Sequence, residues 1–252
     1  MRLLSYNTYW KIMDPSPDKN ACLLNSRNVC RDNVAEIILS IGLEKDEKYP
    51  KYDFISLQEC TLKNFKKLDF PSNFINKYQK KYSKVSKNYV ITLYLSKYHP
   101  IKTYRGNLST PNDYRPFLII VFKENLIHIN VHFPHHNVKE GYKRLQDILY
   151  KIPQFYDPKY NLIFNGDFNH QPNFKFINAA FKPHKIFNSP RLHTCCREKK
   201  HDEYEERFDN IYTTIAKPII YKTLKNTKKY NKGDNVLMSD HLPVYAKVPN
   251  NL

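Results

Sequence analysis

Glycine and acidic residues are the scarce components of this sequence. Five glycines in 252 residues exclude a collagen-like chain and a flexible Gly-rich linker. No internal repeat and no stretch rich in Pro, Gly or Ser divides the chain. A single domain over residues 1–252 is therefore expected, long enough to bury a core. No segment approaches the roughly 18 consecutive apolar residues of a membrane helix. The apolar run at Leu3-Leu4 is too short for the hydrophobic centre of a secretory signal. The cysteines number five, an odd count without paired spacing, so no disulfide framework is expected. The expectation is reduced thiols in a soluble, monomeric protein of the cytoplasm or nucleus.

Positive charge is what the chain has in excess. Lys and Arg number 41 against 24 Asp and Glu, a formal net charge of +17. With 41% hydrophobic residues the chain is not a disordered basic tail. The basic excess raises nucleic acid as a partner. The abundance of Lys, Asn, Ile and Tyr, residues of A/T-rich codons, supplies a second origin for the same charge.

Hydrophobic patterning predicts mixed strand and helix. A strand is expected over 2–6, and a helix over 27–41, where Val34, Ile37, Ile38 and Ile41 recur at helical spacing and Gly42 follows as a C-cap. Buried strands are expected at 53–57, 88–95 and 161–164, and a hairpin over 116–131 broken at Lys123-Glu124-Asn125. A further helix is expected over 138–150, with Tyr142, Leu145, Ile148 and Leu149 on one side. Strands at 208–213, 218–223 and 243–248 close the chain. Two Lys/Tyr-rich stretches, 77–89 and 222–232, read as exposed loops or strand edges. Two packed sheets with helices outside follow from this alternation.

The polar residues of interest stand at strand ends. Asn7 follows the first apolar run, Glu59 follows Phe54-Ile55-Ser56-Leu57, and His132 follows Ile127 to Val131. Asp167 and Asn169 follow Leu162-Ile163-Phe164. Asp209 opens its strand, and Asp240 and His241 precede the last one. Strand ends on one rim converge, so these groups can share a pocket. Oxygen donors suit a hard cation such as Mg²⁺ or Mn²⁺. Carboxylates for metal and base, amides for orientation and imidazoles for phosphate are what phosphodiester hydrolysis requires.

The same segments carry a family resemblance. Leu4-Ser5-Tyr6-Asn7, Asp53-Phe54-Ile55-Ser56-Leu57-Gln58-Glu59, Asn130-Val131-His132, Asn165-Gly166-Asp167-Phe168-Asn169, Arg207-Phe208-Asp209-Asn210-Ile211 and Ser239-Asp240-His241-Leu242-Pro243 resemble, in order, the motifs of the endonuclease/exonuclease/phosphatase superfamily. That family includes the pancreatic-type deoxyribonucleases and exonuclease III. The resemblance implies a four-layered α/β sandwich, two central mixed sheets flanked by helices. It implies a metal bound by Glu59 with Asn7 and Asp240. Asp167 would orient or deprotonate the attacking water, and Asn169 would position it. His241 would contact the scissile phosphate with Asp209 fixing its tautomer, and His132 would contact phosphate or leaving oxygen. Arg115, in Tyr114-Arg115-Pro116-Phe117, stands where pancreatic-type enzymes carry a phosphate-contacting Arg. His135, on the loop after His132, is a further candidate for substrate.

Within the family, Arg207-Phe208-Asp209-Asn210 lacks the Trp-Cys element of inositol-polyphosphate phosphatases. Tyr6 and His132 depart from apurinic-site endonucleases. The expected activity is a Mg²⁺- or Mn²⁺-dependent DNA or RNA phosphodiesterase acting by in-line attack of water. A phosphoesterase for a small or lipid substrate, and an inactive nucleic-acid-binding scaffold, are the alternatives. A zinc site at His193, Cys195, Cys196 and His201 is disfavoured by ligand spacing. If the charge serves nucleic acid, both Lys/Tyr stretches should flank the rim carrying Asp167 and His241.

Overall fold

The computed structural model describes residues 1–8, 27–109, 113–187, 192–195, 206–223 and 241–249, with side chains from residue 34 onward in the first helix. Among them are strands β1 (Arg2–Asn7), β2 (Phe54–Gln58), β3 (Tyr78–Val85), β4 (Asn88–Leu95), β5 (Pro100–Asn107), β6 (Pro116–Phe122), β7 (Leu126–His132), β8 (Asn161–Asp167), β9 (Asp209–Thr213), β10 (Ile220–Thr223) and β11 (Val244–Lys247). They form two mixed sheets, a six-stranded one ordered β10-β11-β1-β2-β4-β3 and a five-stranded one ordered β5-β6-β7-β8-β9. Each sheet contains one parallel pair, β1 with β2 and β7 with β8. Parallel neighbours require a crossover. Helix α1 (Arg27–Ser40) supplies the first, and helix α4 (Val138–Leu149) the second.

The layers follow from where apolar side chains point. Val34, Ile37, Ile38 and Ile41 pack on Ile55, Leu57, Ile91 and Leu93, so α1 covers the outer face of the first sheet. Short helices α2 (Leu62–Phe65) and α3 (Ser72–Ile75) add Phe65 and Phe74 to that cluster. Tyr142, Leu145 and Leu149 of α4, with Ile177 of α5 (Phe174–Ala180), cover Ile127, Ile129, Leu162 and Phe164 of the second sheet. Between the sheets lie Leu3, Phe54, Val90, Leu118, Ile120, Phe122, Ile163, Ile211 and Val244. Each fully buried aliphatic or aromatic side chain of this kind contributes about 1.5–3 kcal/mol. The arrangement is the expected four-layered α/β sandwich of two mixed sheets flanked by helices.

Three features differ from the expected elements. Gly42 is not in a left-handed conformation, since the positive-φ glycine among the described residues is Gly166. Its lack of a side chain admits the Tyr52 ring, which a Cβ at Gly42 would meet at 2.5 Å. The Tyr52 hydroxyl donates to Ile38 O at 2.7 Å and accepts from Gly42 N–H at 3.0 Å, so a tyrosine closes this helix. Strand β5 has no counterpart in the pattern-based reading, because its side chains are mostly exposed or half-buried and it lies at a sheet edge. Helices α2, α3 and α5 span four, four and seven residues, too short for a helical period to register. The stretch 77–89 is an edge strand and the turn of its hairpin.

Candidate active site

Strand direction brings the polar strand ends to one rim. β1 and β2 run toward it in parallel, as do β7 and β8. Asn7, Glu59, His132 and Asp167 therefore all emerge there. Asp209 enters the rim because β9 pairs antiparallel with β8, Asp209 opposite Asp167. His241 stands just before β11, which is antiparallel to β1.

Local backbone conformation aims these groups. Gly166 takes φ 145°, where a Cβ would lie 2.0 Å from Val131 O. Only glycine fits there, and it lets β8 approach β7 beside Asp167. Glu59 and Asn169 are left-handed, with φ 54° and 52°. Each turns the chain sharply at the end of its strand, an uncommon state for a side-chain-bearing residue. Glu59 N–H is held by Tyr89 O at 3.0 Å. Asn169 donates its N–H to Asp167 Oδ1 at 2.8 Å and its side-chain amide to Phe133 O at 2.7 Å. Underneath, Gln58 donates to Asn130 Oδ1 at 2.8 Å, and Asn130 donates to Ile91 O at 2.9 Å. This buried polar layer fixes β2, β4 and β7 against one another at the rim.

Asp167 is the centre of the cluster. It is 1% exposed, and Asn7 Nδ2 donates to its Oδ2 at 2.7 Å. The same oxygen lies 3.6 Å from His132 Nε2 and 3.7 Å from His241 Nε2. Burial lifts the Asp167 carboxyl above the usual carboxylate range, and the nearby His241 opposes that lift. His241 Nδ1 donates to Asp209 Oδ2 at 2.7 Å, which turns Nε2 toward Asp167. Asp167, Asp209 and His241 present ligand atoms all within 4.8 Å of one another, a group able to hold a metal ion.

His132 is fully buried. Burial and the adjacent Arg115 guanidinium hold its imidazole well below the ordinary histidine range, so it is neutral. Arg115 Nη1 lies 3.1 Å from His132 Nε2. Arginine can only donate, so the His132 proton sits on Nδ1, a buried nitrogen with no hydrogen-bond partner among the described residues. Glu59 Oε1 lies 3.5 Å from the same Nε2. Arg115 is fixed through Nε, 2.8 Å from Asp113 Oδ1, and through its N–H, which Asn107 Oδ1 accepts at 2.8 Å.

No protein-family model matches the sequence. A protein of Acanthamoeba polyphaga mimivirus, the uncharacterized protein L684, is 25% identical over 275 aligned positions that cover all of this chain and 51% of that protein. The chain thus spans about half the length of this relative. Solved structures are similar over nearly its whole length. TDP2 of Caenorhabditis elegans superposes with a TM-score of 0.67 at 16% identity, covering 97% of this chain and 74% of that one. An endonuclease/exonuclease/phosphatase of Bacteroides vulgatus gives 0.64 at 16% identity, covering 97% of each. The fold is that of the endonuclease/exonuclease/phosphatase family. TDP2 of D. rerio in complex with a single-strand DNA product gives 0.65 at 17% identity, covering 98% of this chain and 97% of that one.

On this endonuclease/exonuclease/phosphatase fold the rim gathers Asn7, Glu59, Arg115, His132, Asp167, Asn169, Asp209 and His241. Asp240 lies outside the described residues. His135 is exposed on the loop after His132, close enough to Arg115, Asp167 and His132 for their charges to act on one another. Four contributors escaped sequence reasoning. Thr194 Oγ1 accepts from Asp209 N–H at 2.9 Å, and its carbonyl accepts from Leu242 N–H at 2.6 Å. It ties the Asp209 strand to the His241 segment. Cys195 Sγ lies 3.4 Å from His241 Nε2, and Asp113 and Asn107 hold Arg115. None follows an apolar strand, the signal that exposed the others. The expectation of reduced thiols is corrected at Cys195, which is disulfide-bonded. Its bonding partner is not among the described side chains, and spacing along the chain could not reveal a pairing made in space. Cys60 is free and buried, while Cys196 and His201 lie outside the described residues. Of the Lys/Tyr stretches, 77–89 reaches the rim at its C-terminal end, where Tyr89 O receives Glu59 N–H. Residues 222–223 pair with Tyr245 and Val244 beside it, and 224–232 lie outside the described residues.

Proposed function

We propose that this protein is a divalent-metal-dependent phosphodiesterase that hydrolyses nucleic-acid phosphodiester bonds. The observation that carries the reading is Asp167, a buried carboxylate held by Asn7 and facing the Nε2 atoms of two histidines. The donor set fits a hard cation, because Glu59 and Asn7 offer oxygen ligands beside further carboxylates. Glu59 with Asn7 would hold Mg²⁺ or Mn²⁺. Such an ion supplies charge neutralisation on the phosphate and at the leaving oxygen. The Asp167–Asp209–His241 group is a less suitable cradle, because the hydrogen bond from Nδ1 at 2.7 Å already engages His241 with Asp209 Oδ2.

Asp167 takes the proton of the attacking water. Its raised affinity for a proton suits a general base better than an ordinary carboxylate would. Asp209 holds the Nδ1 proton of His241, so His241 presents Nε2 to a phosphate oxygen and donates when protonated. Neutral His132 accepts from Arg115, which makes Arg115 the donor toward phosphate and His132 its positioning partner. Asn169, braced on Phe133 O, borders the position of the water. Nucleic acid as the substrate class is supported by the +17 charge and by the single-strand DNA product bound to the similar D. rerio protein. His135 and Asp240 are proposed to contribute to substrate and metal binding respectively.

The test is a substrate panel of single-stranded DNA, RNA, supercoiled DNA, a bis-aryl phosphodiester and phospholipid head-group esters. It is run with Mg²⁺, Mn²⁺ or EDTA. Metal-dependent cleavage of a nucleic acid is expected, lowered about 10²–10⁴-fold in Asp167→Asn. Wild-type rates in that variant would overturn the assignment of the base. Turnover confined to lipid or small esters would move the substrate class.

A further inference from the structure

Strands β3 and β5 are the edge strands of the two sheets, and they lie side by side along one flank of the sandwich. Both end at the active-site rim. β3 turns there into β4, whose Tyr89 O receives Glu59 N–H. β5 ends at Asn107, whose side chain accepts from Arg115 N–H. Asn88, in the hairpin, donates to Tyr114 O beside Arg115. The flank is therefore continuous with the residues that face the phosphate.

The charge on this flank has one sign. No Asp or Glu occurs between Asp69 and Asp113 in the sequence. Lys80, Lys84, Lys87, Lys102 and Arg105 are exposed along it. None of these five is in an ion pair among the described residues, whereas Arg2, Lys51, Lys97, Arg144, Lys159 and Lys247 are. Aromatic rings hold several of these cations in place. The Arg105 guanidinium lies 5.4 Å from the Tyr82 ring centre, Lys84 Nζ 5.4 Å from Tyr89, and Lys102 Nζ 5.2 Å from Tyr104. Alternate residues of a strand recur about every 6.6 Å. Lys80 and Lys84, four residues apart with Tyr82 between them, thus stand about 13 Å apart, about two phosphate steps of an extended single strand.

We propose that the β3–β5 flank is a docking track for single-stranded nucleic acid, leading its backbone away from the scissile phosphate. The proposal deepens the nucleic-acid reading of the site and rests on it. Lysines on edge strands also protect a sheet against edge-to-edge pairing. That role explains exposed cations at an edge, but neither the absence of counter-charge over so long a segment nor the continuity with the site. The cations come from two adjacent edge strands, a strip narrower than a duplex, and so fit one phosphate backbone rather than two.

The test uses the full chain and a fluorescein-labelled oligothymidylate of about 20 nucleotides in EDTA, read by anisotropy across a salt series. In Lys80→Gln/Lys84→Gln/Arg105→Gln, affinity should fall about tenfold or more near 0.1 M salt. The slope of log affinity against log salt should flatten by about 2, at roughly 0.7 per lost single-strand phosphate contact. Hydrolysis of a bis-aryl phosphodiester should be unchanged. Wild-type affinity and slope would overturn the proposal, and self-association of that variant with unaltered binding would assign the lysines to edge protection. An equal loss in Lys151→Gln/Lys185→Gln/Lys217→Gln, exposed positions off the flank, would show net charge alone at work and also overturn it. Equal losses on a duplex of the same length would overturn the single-strand assignment. Lost binding without turnover of any phosphodiester would keep the track and end the catalytic reading. Turnover with unaltered binding would do the reverse.

Discussion

At Gly166 a single hydrogen in place of a side chain decides whether the site can assemble. The φ of 145° and the 2.0 Å approach to Val131 O leave no room for a Cβ. Gly166→Ala should cost about 3 kcal/mol or more, from backbone strain and overpacking together. The fall should appear as a lower urea midpoint, and an unchanged midpoint would refute the packing argument. The motif Asn165-Gly166-Asp167-Phe168-Asn169 was legible as a unit. Its parts do separate work: Gly166 permits the approach of β7, Asp167 faces the histidines, and Asn169 folds back on Phe133 O. His132 shows the reverse case. It stands at a strand end as expected, yet its Nε2 is covered by Arg115, which reaches it from 17 residues away. The order of residues gives no sign of that contact.

Helix α1 is the element whose pattern was easiest to read and whose ending was read for the wrong reason. A glycine after a helix ordinarily suggests a left-handed cap. Here Tyr52 closes the helix through Ile38 O and Gly42 N–H. Tyr52→Phe keeps the ring and removes both hydrogen bonds in a fully buried place. A loss of about 1–3 kcal/mol is expected, measured by chemical denaturation, and a loss below 0.5 kcal/mol would return the cap to Gly42. Strands β3 and β5 mark where periodicity fails. Edge strands bury little on either face, so their sequences carry charge where a central strand carries Val, Ile and Phe. Strands β6, β7 and β8, buried nearly throughout, were legible for the converse reason.

The packing of the two sheets buries polar groups whose titration reaches the whole molecule. His128 of β7 lies between the sheets, stacked on Phe54 at 4.8 Å with Nε2 3.2 Å from Ser56 Oγ. Burial pushes its imidazole down to about 3. The unfolded chain takes up this proton near pH 6.5, but the folded chain only near pH 3. The contribution of His128 to stability is therefore fully present above pH 6.5 and is lost as pH falls toward 3. Between pH 7 and pH 5 the loss from this residue should be about 2 kcal/mol. Urea unfolding at the two pH values should show it, and His128→Gln should reduce the difference. An identical pH dependence in the variant would refute the assignment. The sequence by itself determined the two buried sheets, the two crossover helices and the strand ends bearing Asn7, Glu59, His132, Asp167, Asp209 and His241. Hydrophobic periodicity and strand-end position are local properties, written where the residues stand. Only the tertiary structure decided that Arg115 covers His132, that Thr194 joins Asp209 to His241, and that β3 and β5 align their cations along one flank. Those contacts join segments far apart in the chain, and their geometry exists only once the sheets have packed.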